Sequence, residues 1–443
     1  MPKSDVAMTR TPRATRAPRA AWLIGPALVA GVAYLDPGNV ASNMTAGAVF
    51  GYLLVWVVVL GNVMAWLIQY LSAKLGIVTG ESLPEALGHR IRRPWARRAY
   101  WLQAELVAMA TDIAEVIGGA VALNLLFGVP LLWGGVITGA VSMALLVVQS
   151  RRGARPFEFV IVGLLAIIAI GFTFGVVIGP PDPAGVIGGL VPRFEDSQSV
   201  LLAASILGAT IMPHAIYAHS ALARDRFDPA GAADARRAGT STELERKTAR
   251  DGLEKARGIG TSRLLRATRW DVTIALAIAG TVNLAILLLA AANLADVPGT
   301  DTLEGAYGAL RDGIGPLVAT LFAVGLLASG LASTSVGAYA GAEIMHGLLR
   351  IRVPLLARRL VTLAPALVIL GLGVDPTLAL VLSQVVLSFG IPFALIPLVA
   401  LTAKREVLGR FRNRFATTAA GVAASVFLVA LNGLLLWLVL TGG

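Results

Sequence analysis

Cysteine is absent from the 443 residues, and histidine occurs only at His89, His214, His219 and His346. The first absence removes disulfides, thiolate metal ligands and cysteine nucleophiles together. It says little about compartment, because a core embedded in lipid needs no disulfides. The second works against an intramembrane metallohydrolase, which needs several His or carboxylate ligands plus a positioned acid or base. The histidines are scattered and no His-Glu-x-x-His pattern occurs. Charge is scarce as well: 14% of residues are charged, against about 25% in soluble domains. No stretch between the apolar runs is large enough for a separate folded domain. With 56% hydrophobic residues, the composition is that of a polytopic membrane protein and not of an enzyme carrying an anchor.

What is present is a series of long apolar runs. Windows of about 20 apolar residues give about eleven spans. They cover approximately 21–47, 51–75, 99–126, 129–150, 156–179, 199–222, 270–294, 314–341, 358–374, 377–402 and 414–441. The connections test this series. Those after even-numbered spans carry basic clusters, such as Arg90, Arg92, Arg93, Arg97 and Arg98, or Lys404, Arg405, Arg410, Arg412 and Arg414. Those after odd-numbered spans are neutral or acidic, as with Asp182, Glu195 and Asp196 against Arg193. The net charge of +11 is thus explained as loop charge that fixes topology, with no nucleic-acid partner implied. The N-terminus is expected inside and the C-terminus outside, in a cell (inner) membrane. The basic start, with Lys3, Arg10, Arg13, Arg16 and Arg19, reads as a cytoplasmic anchor and not as a signal peptide. The long Arg224–Arg269 connection reads as a solvated linker.

Two spans are interrupted. The first holds Ala33-Tyr34-Leu35-Asp36-Pro37-Gly38-Asn39. Proline lacks the N–H and clashes with the preceding turn, and glycine leaves helical dihedrals cheaply, so the helix is expected to break at mid-membrane. A charged Asp there costs about 2.5–3.5 kcal/mol. Asp36 and the freed carbonyls therefore need a partner, and a cation suits both. The sixth span holds Gly208-Ala209-Thr210-Ile211-Met212-Pro213-His214, again a proline flanked by metal-capable side chains. An odd interval of spans places the second unit in the membrane from the opposite side. That is the sign of an inverted repeat, spans 1–5 and 6–10, with a site between two discontinuous helices.

Such a site offers hard oxygen from Asp36, a neutral carbonyl from Asn39, backbone carbonyls near Ala33 and Ala209, and a thioether from Met212. One soft ligand among oxygens tilts selection away from Mg²⁺ and Ca²⁺ toward transition metals. Mn²⁺ or Fe²⁺ is the expected substrate, with Co²⁺, Zn²⁺ and Cd²⁺ as competitors. A single Met in an apolar span is ordinarily packing, and a buried His is ordinarily a hydrogen-bonded structural residue, so His214 is not counted as a ligand. The third span adds Glu105, Asp112 and Glu115, the last two on one helix face. Acids within a span mark ion or proton pathways. Arg358 and Arg359, opening the ninth span, supply a counter-charge or simply snorkel to the interface. Asn62, Gln69, Asn283, Gln384 and Asn432 are expected to bond between helices, with Gln384 the one closest to a functional role.

Asp36-Pro37-Gly38-Asn39 and Met212-Pro213-His214, set five spans apart, resemble the two signatures of the Nramp (natural resistance-associated macrophage protein) family of metal transporters. The similarity runs from about Trp22 to Trp437 and includes Gln103–Asp112 and Ser383–Gly390. The resemblance implies an all-α LeuT-like fold of eleven spans and proton-coupled uptake of Mn²⁺ and Fe²⁺ by alternating access, with no enzymatic activity and no resident cofactor. It implies that Asp36, Asn39, Met212 and the Ala33 and Ala209 carbonyls hold the metal, joined by Gln384 in occluded states. It implies a proton route through Asp36, His214, Asp112, Glu115, Arg358 and Arg359. The alternatives are a passive metal channel, which would share these ligands, and a Mg²⁺-selective relative, against which the retained Met and Asn argue. The layout expected is a basic tail over 1–20, a first five-helix repeat over 21–179 and an outer loop over 180–198. A second repeat follows over 199–402, with the 224–269 cytoplasmic loop inside it, and then an eleventh helix over 403–443. Nothing demands more than a monomer.

Overall fold

Backbone groups in lipid must be satisfied within the protein, and a chain of long apolar runs does this as helices. The computed structural model describes residues 27, 30–31, 34–152, 154–227, 257–351 and 353–442. Every regular element among them is helical. In chain order the helices are α1 (Pro37–Phe50), α2 (Val55–Thr79), α3 (Leu83–Arg90), α4 (Pro94–Phe127), α5 (Leu131–Arg152), α6 (Ala154–Ile178), α7 (Pro183–Gly188) and α8 (Ser197–Ile211). They continue as α9 (Pro213–Phe227), α10 (Thr261–Asn293), α11 (Leu303–Gly313), α12 (Pro316–Leu349), α13 (Leu355–Gly371), α14 (Pro376–Ala403), α15 (Arg405–Leu408) and α16 (Phe415–Thr441).

Local chemistry sets the boundaries. Proline opens α1, α4, α12 and α14, where its missing N–H costs nothing. Asp196 caps α8 by accepting from the Ser199 N–H at 2.7 Å. Ser82 and Glu85 close a reciprocal capping box on α3. At the end of α4, Gly128 takes φ 67° and returns its N–H to the Asn124 carbonyl, a left-handed turn that favours glycine.

Among the described residues seven helical stretches are long and apolar enough to cross a membrane unaided, with α8–α9 taken as one. The remaining expected spans fall on the broken first helix, on α5 and α6, and on the 17-residue α13. Burial ranks these stretches. The α8–α9 window is 94% buried, whereas that of α16 is 33% buried, so the sixth span is central and the eleventh peripheral.

The packing carries the inverted repeat. α1 lies on α10, and α9 lies on α2. Exchanging spans 1–5 for 6–10 turns one contact into the other. The same exchange relates the α6–α12 and α14–α4 contacts and maps the α4–α12 and α2–α10 contacts onto themselves. The fold is therefore the expected all-α architecture, with two broken helices at its centre.

One expectation needs correction. The connection after the sixth span is shorter than 224–269: α9 runs on to Phe227 and α10 already begins at Thr261. Polar residues such as Arg263, Arg266 and Arg269 extend an apolar helix beyond the membrane without breaking its hydrogen bonds. Residues 228–256 and the 1–20 tail lie outside the described residues.

Candidate metal centre

The first break is built by Asp36. Its backbone is extended, at φ −73° and ψ 163°, and its carboxylate accepts from the Asn39 N–H at 2.8 Å. Asp36 thus caps α1, and the positive end of that helix favours the anion. Asn39 donates its side-chain N–H to the Tyr34 carbonyl at 2.5 Å, and its own carbonyl accepts from Asn43 at 2.6 Å. Asn283 reaches the same Tyr34 carbonyl at 3.2 Å, and the Ser329 hydroxyl donates to the Leu35 carbonyl. The expectation that the freed carbonyls await a cation thus fails at Tyr34 and Leu35. Three neighbouring side chains satisfy them, because burial without a partner would cost about 1–3 kcal/mol per group. Ala33 lies outside the described residues.

The second break turns on Met212, which adopts φ 39° and ψ 99° between α8 and α9. A non-glycine residue there stores about 1–3 kcal/mol of strain. Pro213 has no N–H to give the Ala209 carbonyl four residues earlier, so that oxygen loses its helical donor. Met212, Ala209, Asp36, Asn39 and Gln384 are all fully buried.

Gln384 on α14 joins the halves. Its amide N–H donates to the Asp36 carboxylate at 3.2 Å and to the Ser383 hydroxyl at 3.1 Å. Its amide oxygen is buried with no partner. Two glycines admit it: a β-carbon at Gly38 would fall on the Gln384 side chain, and one at Gly208 on the Gln384 backbone carbonyl. Together with the packing of α1 on α8, this sets both breaks around one residue of the tenth span.

A charged network adjoins the centre. Arg359 lies fully buried and donates to Asp112 at 2.6 Å and to Glu115 at 3.0 Å. It also reaches Ser142 at 3.1 Å. Arg358 donates to Glu105 at 3.0 Å and Asp112 at 3.2 Å. Both arginines are therefore ion-paired inside the bundle and do not snorkel. The small α12 residues Gly337 and Gly341 leave room for the carboxylates and for the Arg358 guanidinium. His214, next to the second break, pairs through Nδ1 with the Thr111 hydroxyl at 3.1 Å, immediately before Asp112. A β-carbon at Gly118 would meet the ring of Pro37, so α4 touches the first break too.

Among the described residues no group of three or more His, Asp or Glu side chains is arranged to hold a metal. A cation here would depend on one carboxylate and on neutral donors, the chemistry a transporter needs if its substrate is to leave again. Comparison with known proteins decides the family. The model of natural resistance-associated macrophage protein-like sequences matches residues 27–438.

The chain belongs to the Nramp family.

Nramp proteins are membrane transporters of divalent metals, so this chain is a multi-pass membrane transporter and not an enzyme. A divalent metal cation transporter MntH from Mycobacterium tuberculosis (strain ATCC 25618 / H37Rv) is 58% identical over 421 residues, 95% of this chain and 92% of the relative. The MntH of Deinococcus radiodurans is 44% identical over 438 residues, covering 98% and 93%. A crystal structure of the Eremococcus coleocola manganese transporter in complex with an aromatic bis-isothiourea substituted compound superposes with a TM-score of 0.77 at 32% identity, covering 93% of this chain and 85% of that one. MhsT in complex with L-phenylalanine shares the fold alone, with a TM-score of 0.56 at 13% identity over 95% and 98% of the two chains.

Sequence reasoning missed Asn43, Ser142, Ser329 and also Thr334 of α12, whose hydroxyl accepts from Arg359 at 3.4 Å. Asn43 carried a signal, sitting one helical turn after Asn39. The hydroxyl residues carried none, since Ser and Thr are ordinary in membrane helices. Gln69 and Asn432 bond between helices as expected, to His219 at 2.9 Å and to Ser388 at 2.8 Å.

Proposed function

We propose that this Nramp protein imports Mn²⁺ and Fe²⁺ with protons by alternating access. Its N-terminus would lie in the cytoplasm of a cell whose inner membrane it spans, and its C-terminus outside. The observation that carries the reading is the buried Asp36 carboxylate at a helix break, bonded to Gln384 and beside the Met212 break. The related MntH proteins and the Eremococcus manganese transporter support the substrate class.

In this reading a partly dehydrated ion enters between the broken helices and is held by Asp36, Asn39, Met212 and the Ala33 and Ala209 carbonyls. Gln384 now presents an N–H to Asp36, which would repel a cation. A half-turn of its amide exchanges that donor for the unpartnered oxygen and adds a ligand as the site occludes. A proton takes the neighbouring route: Asp36, then His214, then past Thr111 to Asp112 and Glu115 beside Arg358 and Arg359. Membrane potential favours entry by about 2.3 kcal/mol per charge per 100 mV. No step requires a second subunit, and the functional unit is a monomer.

The test is Mn²⁺ uptake into proteoliposomes that carry an internal pH dye. Saturable uptake with inward acidification, lost in Asp36→Asn, is expected. Transport that persists in Asp36→Asn would remove Asp36 from the site, and flux that neither saturates nor moves protons would make the protein a channel.

A further inference from the structure

Asn43 stands on α1 one helical turn beyond Asn39 and is fully buried. Its side-chain nitrogen serves that neighbour alone. It donates to the Asn39 backbone carbonyl at 2.9 Å and to the Asn39 side-chain oxygen at 2.6 Å. The Asn43 Oδ1 is buried with no partner. Turning the amide over would not help, because that oxygen would then face the two oxygens of Asn39. A buried acceptor left unpaired costs stability, so Asn43 serves the fold less well than an apolar side chain of its shape would. A polar group kept in such a place needs a reason other than folding.

The other end of the Asn39 amide is tied as well, its nitrogen donating to the Tyr34 carbonyl at 2.5 Å. That bond alone would let the amide pivot about it. The bond from Asn43 is a second point of attachment and fixes the amide plane. A carboxamide oxygen carries two lone pairs in that plane. Asn43 occupies one of them and leaves the other in a set direction. Asn43 is itself held in place by α10. A β-carbon at Gly47, one turn further on the same face of α1, would meet the Leu287 carbonyl, and Asn283 donates to the Tyr34 carbonyl at 3.2 Å.

We propose that Asn43 is a positioning residue for metal binding. It does not touch the ion; it holds the Asn39 amide so that the remaining lone pair of Oδ1 is offered at one fixed angle. The inference rests on the proposed role of Asn39 as a ligand. A ligand held in advance is not ordered at the ion's expense, and the partners behind a ligand set its affinity. The unpaired Asn43 oxygen is then the cost of spending the nitrogen on Asn39.

Mn²⁺ uptake by the full chain in proteoliposomes is compared for wild type, Asn43→Leu, Asn43→Ala, Asn39→Ala and the double variant of Asn39→Ala with Asn43→Leu. Leu keeps the branched shape and Ala leaves space, so a change common to both reports the lost donor and not the volume. The KM for Mn²⁺ should rise about ten-fold in both Asn43 variants, with kcat changed less than about two-fold. Asn43→Leu should melt in detergent close to wild type. In the Asn39→Ala background Asn43→Leu should raise KM no further, because its effect passes through Asn39. An unchanged KM in both Asn43 variants would overturn the proposal, and with a lower melting temperature it would leave Asn43 a structural role alone. An equal rise in KM in both backgrounds would overturn it too, since Asn43 would then act independently of Asn39. A wild-type KM in Asn39→Ala would instead remove Asn39 from the metal site, and the role of Asn43 would fall with it.

Discussion

The Gln384 amide donates to the Asp36 carboxylate at 3.2 Å, and only a missing β-carbon at Gly38 lets it. In Gly38→Ala the Gln384 side chain can swing away, so the fold survives, but the link to Asp36 is lost. The displaced side chain then cannot turn its oxygen to the metal as the site occludes, and the KM for Mn²⁺ uptake should rise roughly ten-fold or more. Gly208→Ala would instead strike the Gln384 backbone carbonyl, which cannot swing. It should destabilise the protein by about 1–3 kcal/mol, read as a lower melting temperature in detergent. Equal behaviour of the two variants would contradict this division.

Met212 tests selectivity. Its thioether is the one soft donor proposed at the site, and its left-handed backbone is strained. Met212→Ala removes the sulfur and leaves the oxygen donors. It should retain part of the Mn²⁺ uptake and become several-fold more sensitive to competition by Ca²⁺ or Mg²⁺. Unchanged competition would mean that the sulfur serves packing alone.

Both breaks were legible because Pro37 and Pro213 each stand in a run where proline has no ordinary use. The acids of the third span were legible for the same reason, since burying charge in lipid is costly. Their geometry was not. Whether Arg358 pairs inward or snorkels depends on room that Gly341 provides from another helix, and a one-dimensional pattern does not carry that. The satisfied Tyr34 and Leu35 carbonyls were missed likewise, because Asn283 and Ser329 lie about 250–300 residues away in sequence. The start of α10 was misplaced because charged residues at a helix end look like loop.

The two arginines should differ. Arg359 is fully buried between Asp112 and Glu115, and Arg358 contacts the more accessible Glu105. Removing one partner of a buried pair costs about 3–5 kcal/mol, because the other charge is left uncompensated. Arg359→Ala should therefore lower the melting temperature more than Arg358→Ala. Adding Asp112→Asn and Glu115→Gln to Arg359→Ala should restore part of the stability without restoring acidification. Full stability in Arg359→Ala alone would show that the acids are not charged there.

At the far end of α9, Arg224 is bound to Glu85 of α3 at 2.5 Å and to Glu343 of α12 at 3.2 Å. The same helix begins at the Met212 break, so a tie at its end restrains the element that must move if the site is to open toward that side. Arg224→Gln should loosen it and leave two carboxylates facing each other, which adds repulsion to the lost attraction. Because the chain has no native cysteine, a single Ala223→Cys reports this without background. Ala223 is buried, at 1% exposure, and its cysteine should react slowly with a membrane-impermeant thiol reagent. In Arg224→Gln the rate should rise roughly ten-fold, corresponding to about 1.4 kcal/mol of lost closure. Glu343→Gln should give a smaller increase, since Glu85 keeps its bond. A rate that stays the same in both variants would show that closure at this end depends on packing alone.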